Sequence, residues 1–197
     1  MRRHIKEQQG LSLIELVIVL SLLGLVLSVG YNYLNFGLSS YARGEKQTIA
    51  QHGLRLTSNL VKNELRYARS VEIIVVPDGF GSNDAVEGYG YFYIDNDSIM
   101  QIDPAGQVKV LSDGPADELD YSITFLASNS DQSNLDTYAE YLPDQFHENL
   151  VVFILDADQG FYTLGTSVQI LNLELYENEI EVDTAAKNAI RYQKPLQ

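Results

Sequence analysis

Few side chains in this sequence are placed to do chemistry, and Glu15 stands out among them. It is the one charged residue between Leu11 and Val29, a stretch otherwise free of Lys, Arg, Asp and Pro. A carboxylate at the centre of an apolar span costs about 2.5–3.5 kcal/mol on insertion scales, and less near the end, where Glu15 lies. The chemistry available to it is ion pairing in a medium of low dielectric. The alternative is that Glu15 reaches out to the headgroups or lies outside the span. Other chemistry is poorly supported. The chain has no cysteine, which excludes disulfides, zinc-thiolate sites and a catalytic thiol. The histidines are His4, His52 and His147, and no H-E-x-x-H, G-x-S-x-G or P-loop pattern occurs. Asp95-Asn96-Asp97 and Asp156-Ala157-Asp158-Gln159-Gly160 resemble fragments of calcium loops. Both lack the spaced ligands and terminal bidentate acid of an EF-hand, and read as hairpin turns. No metal, cofactor or enzymatic activity is expected.

The element that must position Glu15 is the apolar run itself. As a helix, Leu11–Val29 is about 28 Å long at ~1.5 Å per residue, close to the hydrocarbon thickness of a bilayer. Arg2, Arg3, His4 and Lys6 precede it, and such a cluster stays on the cytoplasmic side, sending the rest of the chain out.

Gly10-Leu11-Ser12-Leu13-Ile14-Glu15 with its apolar helix resembles the class III signal of type IV prepilins and pseudopilins. This chain has Leu11 where that family usually has Phe, and Ser12 where it often has Thr. The resemblance implies that a prepilin peptidase/methyltransferase removes residues 1–10 by cutting between Gly10 and Leu11 and methylates Leu11. Glu15 can pair with its own new amino terminus, and the resemblance also implies pairing with the amino terminus of a neighbouring subunit. Other pilins or pseudopilins and an assembly-platform membrane protein are the implied partners, at the cytoplasmic membrane. The physics is consistent: cleavage creates a cation at Leu11, methylation keeps it, and Glu15 lies about one turn away at the positive end of the helix dipole.

The helical pattern continues to Tyr67 without a proline, so one helix of about 85 Å is expected from Leu11 to Ala68. Ile49, Ala50, Gly53, Leu54, Leu56, Leu60, Val61, Leu65 and Ala68 form its expected apolar face. Arg55, Lys62, Arg66 and Arg69 form a basic stripe, read either as a solvated face or as a surface for another subunit. Gly30, Gly37 and Gly44 recur every seven residues, as a weak section or as a groove for neighbouring helices. Tyr31, Tyr33, Phe36 and Tyr41 suit an aromatic belt.

Beyond Arg69 the period changes to two. Strands are expected at 71–76, in a hairpin over 89–102, and at 107–111, 119–126, 150–155 and 168–176, with Ile180 and Val182 pairing back across Glu177-Asn178. Asp113-Gly114-Pro115 is read as the turn after the 107–111 strand. Residues 127–149 read as a long loop contacting a partner. Residues 184–197 read as a loosely docked tail. The fold class is therefore α+β and pilin-like, a long helix packed on an antiparallel sheet. Its domains are 1–10 (leader), 11–30 (anchor), 31–69 (amphipathic extension) and 70–197 (extracytoplasmic β domain). The stretches YFYIDNDSIMQIDPAGQVKVLSDGPADELDYSITF and VVFILDADQG…VQILNLEL resemble J-type minor pseudopilins and W-type minor pilins.

Net charge is −14, and residues 70–197 carry 4 basic against 23 acidic side chains. Such a surface repels nucleic acid and anionic lipid. The expected function is that of a minor pilin or pseudopilin, a structural subunit of a type IV pilus or type II secretion-like pseudopilus. It would sit as a single-pass membrane protein, at the cell surface or in the periplasm once assembled. The rival is a membrane-tethered extracytoplasmic binding domain that never enters a filament.

Overall fold

The computed structural model describes residues 12–111, 119–173, 175, 179–183 and 188–195. The chain divides into two units, Met1–Lys46 and Gln47–Gln197. Helix α1 spans Leu13–Arg66. In the first unit its apolar side chains are exposed all round, from Leu13 at 82% to Val29 at 62%. By length and composition it can cross a membrane.

In the second unit α1 supplies one wall of the core. Ala50, Leu54, Val61, Leu65 and Ala68 are fully buried, with Thr57 and Ser58 beside them. Leu56, expected on this face, is 56% exposed. At ~100° per residue it lies roughly 200° round the wheel from Leu54, on the far side. The helix ends without a glycine cap. Instead the Leu171 N–H donates to the Arg66 carbonyl at 2.9 Å and Asn172 Nδ2 donates to the Tyr67 carbonyl at 2.9 Å. Tertiary contacts thus satisfy carbonyls that every helix end leaves open.

Among the described residues nine strands follow: β1 (Ser70–Ile74), β2 (Tyr89–Asp95), β3 (Ser98–Ile102), β4 (Val108–Val110), β5 (Tyr121–Ala127), β6 (Leu150–Ala157), β7 (Tyr162–Gln169), β8 (Ile180–Val182) and β9 (Ala189–Gln193). They form two sheets, a six-stranded one ordered β4-β3-β2-β9-β1-β8 and a three-stranded one ordered β5-β6-β7. The buried face of α1 shares one core with Val71, Ile73, Phe92 and Tyr192 of the first sheet and Ile123, Phe125 and Phe153 of the second. Each such large side chain contributes about 1.5–3 kcal/mol by leaving water.

The expected 89–102 hairpin is present, with Asn96 and Asp97 at φ 46° and 58° in its two-residue turn. That left-handed pair is what a tight hairpin needs. The second turn is held by Asp156, whose Oδ1 accepts the Gly160 N–H and whose Oδ2 accepts the Thr163 hydroxyl. Both acidic turns therefore have a structural explanation. The Asp113-Gly114-Pro115 turn lies outside the described residues.

Three expectations fail. The strand placed at 168–176 is β7, which begins at Tyr162 and ends at Gln169. It starts directly after the Asp156–Gly160 turn because it pairs in register with β6, from Ala157↔Tyr162 to Leu150↔Gln169. Ile180 and Val182 do not fold back on that strand; β8 pairs parallel with β1. The C-terminal segment, expected to be loosely docked, contributes β9, which lies between β2 and β1.

The long 127–149 loop holds a short helix, α2 (Gln132–Thr137), and a 3-10 turn, Ala139–Tyr141. Its Tyr138, Tyr141, Leu142 and Phe146 pack over Leu126, Val152 and Ile154 on the outer face of the three-stranded sheet. A Cβ on Gly165 would come within 2.2 Å of the Tyr141 ring. Gly165→Ala should therefore lift this segment and destabilise the protein by about 1–3 kcal/mol, read as a lower thermal midpoint. An unchanged midpoint would show that the loop does not depend on this contact.

Candidate functional site

The first turn of α1 is built by Ser12. Its hydroxyl accepts the Glu15 N–H at 3.3 Å, and its carbonyl accepts the Leu16 N–H at 3.1 Å. Ser12 is thus the N-cap, and Ser12-Leu13-Ile14-Glu15 has the spacing of a capping box, a signal that sequence reasoning passed over. Glu15 is exposed in the first helical turn, where a carboxylate complements the helix dipole. Among the described residues nothing donates a hydrogen bond to its carboxylate. The leader, and with it the cleavage residues Gly10 and Leu11, lies outside the described residues.

The first two turns after Ser12 carry apolar side chains apart from Glu15, and glycines leave gaps further along the helix. A Cβ built on Gly30, Gly37 or Gly44 would meet nothing within 4 Å. Tyr31, Tyr33, Phe36 and Tyr41 are exposed.

The basic stripe lies on the second unit. Arg55 and Arg66 are exposed and Lys62 is half-buried. Arg69 falls beyond the helix end, where its N–H donates to the Gln193 carbonyl at 2.8 Å. It belongs to the junction with β1, so the stripe on the helix is Arg55, Lys62 and Arg66.

Sequence reasoning missed the cluster that ties α1 to the first sheet. The Tyr192 hydroxyl donates to Glu64 at 2.9 Å and accepts from Gln101 Nε2 at 3.4 Å. Lys194 pairs with Glu64 at 2.7 Å. Burial pushes the Tyr192 hydroxyl well above its ordinary range, so it stays protonated and donates. The signal was the alternation of Ile190 and Tyr192 with Arg191 and Gln193.

Residues 5–31 match the prokaryotic N-terminal methylation motif. Two solved structures of the PilB minor pilin from Streptococcus sanguinis, one of them a point mutant, share the fold with TM-scores of 0.51. Their sequences are 14% identical, over 77% of this chain and 36% of theirs. The chain carries that methylation motif and shares its fold with a minor pilin. The chain spans little more than a third of the length of those structures, and neither match favours J-type over W-type relatives. No curated protein matches it significantly. The motif falls on the capped start of α1, whose apolar N-terminal part has the length and composition of a membrane anchor.

Proposed function

We propose that the chain is a minor pilin or pseudopilin, a filament subunit and not an enzyme. A prepilin peptidase/methyltransferase removes residues 1–10 after Gly10 and methylates Leu11. An assembly platform then draws the subunit from the membrane among other pilins. Its new N-terminal cation meets the carboxylate of Glu15 on a neighbouring subunit.

The observation that carries this reading is the position of the methylation motif. It ends within a helix whose apolar side chains are exposed on every side, and it places Glu15 in the first turn with no hydrogen-bond donor among the described residues. An acid in that setting calls for an external cation. The rival reading, a membrane-tethered binding domain, leaves the leader in place and creates no N-terminal cation at Leu11.

Intact-mass spectrometry of the chain produced together with a prepilin peptidase tests the proposal. The expected product begins at Leu11 and carries one added methyl group. A product that still begins Met1–Gly10 would favour the tether.

A further inference from the structure

The second unit carries two surfaces of opposite charge. Arg55, Lys62 and Arg66 fall on one line of α1, since steps of seven and four residues return to nearly the same angle. Among the described residues no carboxylate pairs with any of them. Yet the residues from Ser70 onward hold 23 acidic side chains. The opposite surface is the β8 edge of the six-stranded sheet. Glu181 stands beside Glu72 in the β1–β8 register, and Arg191 stands on the other side of Glu72 in the β1–β9 register. Arg191 is occupied, by an ion pair with Glu72 and by the Tyr89 ring 5.0 Å away. Glu179 and Glu181, both exposed, border the same cavity of about 150 Å³, and no cation among the described residues pairs with either. Like charges set side by side on neighbouring strands destabilise a sheet unless something compensates them.

We propose that the Arg55–Lys62–Arg66 face of α1 docks on the Glu179/Glu181 edge of a second copy of this chain. Lys62 and Arg66 are about 6 Å apart along the helix, and Glu179 and Glu181 lie two residues apart, Glu181 within β8 and Glu179 directly before it. Both halves belong to one sequence, which is why the occupant is a second copy. The contact joins two different patches, so it repeats in an open series and does not close on a dimer. This rests on the filament-subunit reading and names the contact by which successive β domains stack.

The test is a charge swap in the full-length chain, with self-association measured by sedimentation in detergent at low salt. Lys62→Glu with Arg66→Glu, or Glu179→Lys with Glu181→Lys, should each weaken self-association about tenfold. Mixing the two reversed chains should restore it, which also shows that both are folded. Salt of ~1 M, where the Debye length is about 3 Å, should weaken the wild-type contact. The inference is overturned if the wild type does not self-associate, if either reversed chain associates like the wild type, or if the mixture fails to recover. A processed, methylated chain whose association ignores these charges would remove this contact and leave the subunit reading standing.

Discussion

A chain ended after Asp183 should lose its folded β domain. The segment removed contains β9, which pairs with β1 from Ser70↔Gln193 to Ile74↔Ala189 and with β2 from Tyr89↔Gln193 to Phe92↔Ile190. Without it the six-stranded sheet falls into β4-β3-β2 and β1-β8, with two new edges of unpaired backbone groups. Ala189, Ile190 and Tyr192 are each 0% exposed. Tyr192 stacks on Phe92 with ring centroids 5.4 Å apart, and its hydroxyl holds Glu64 of α1. Losing Ile190 and Tyr192 alone removes burial of about 1.5–3 kcal/mol each, against a typical total stability of about 5–15 kcal/mol. The lost backbone ladder adds to that. The expected result is no cooperative thermal transition in circular dichroism and rapid proteolysis of residues 70–183. Two finer substitutions separate side chain from backbone. Tyr192→Ala should cost about 3–5 kcal/mol, in the range of large aromatic deletions. Gly90→Ala should be strongly destabilising too, because a Cβ there would sit 2.3 Å from the Tyr192 ring, and β9 holds that ring in place. A truncated chain that still melts cooperatively at the wild-type temperature would show that β9 is dispensable.

That dependence on the last strand explains what could be read in advance. Local patterns carried well: the 89–102 hairpin, β5 and β6 follow from period-two alternation and turn residues close in sequence. Long-range pairings did not. β8 joins β1 in parallel, and β9 enters between β1 and β2, strands more than ninety residues earlier. The alternation of Ile190 and Tyr192 shows that 189–193 can be a strand. It does not show which edges await it, because register is set by faces that assemble only once the sheet exists. The same limit applies to α1. Its amphipathic half was legible, but the arc that became buried was set by two sheets, so Leu56 points away while Thr57 and Ser58 point in. At the candidate site the position of Glu15 was legible and its capping geometry was overlooked, although Ser12 and Glu15 have the spacing that predicts it. The Glu179/Glu181 edge could not be seen at all, since Glu72 and Glu181 become neighbours only through the β1–β8 pairing.

Glu15→Ala should leave the subunit in the membrane and keep it out of the filament. The substitution removes the one charge from the apolar run, so insertion becomes easier, not harder. The helix start survives as well. Ser12 is held by the backbone N–H groups of residues 15 and 16, which alanine retains. What remains is a loss of about 0.3–1 kcal/mol from the dipole at the N-terminus, too little to unfold a helix of 54 residues. The effect on assembly is larger. Two unit charges about 4 Å apart attract by about 4 kcal/mol at an effective dielectric of ~20, close to a thousandfold in an equilibrium constant. Glu15→Gln separates charge from shape, because the amide keeps the size and a hydrogen-bonding oxygen but has no attraction for a distant ammonium. It should fail nearly as badly as alanine. The measurement is the ratio of subunit in sheared filaments to subunit in the membrane fraction, by immunoblot, with mass spectrometry confirming that the leader has been removed. Equal membrane levels with a filament signal reduced at least tenfold are expected for both variants. Filaments carrying the alanine chain at wild-type levels would show that the carboxylate plays no part in recruiting the subunit.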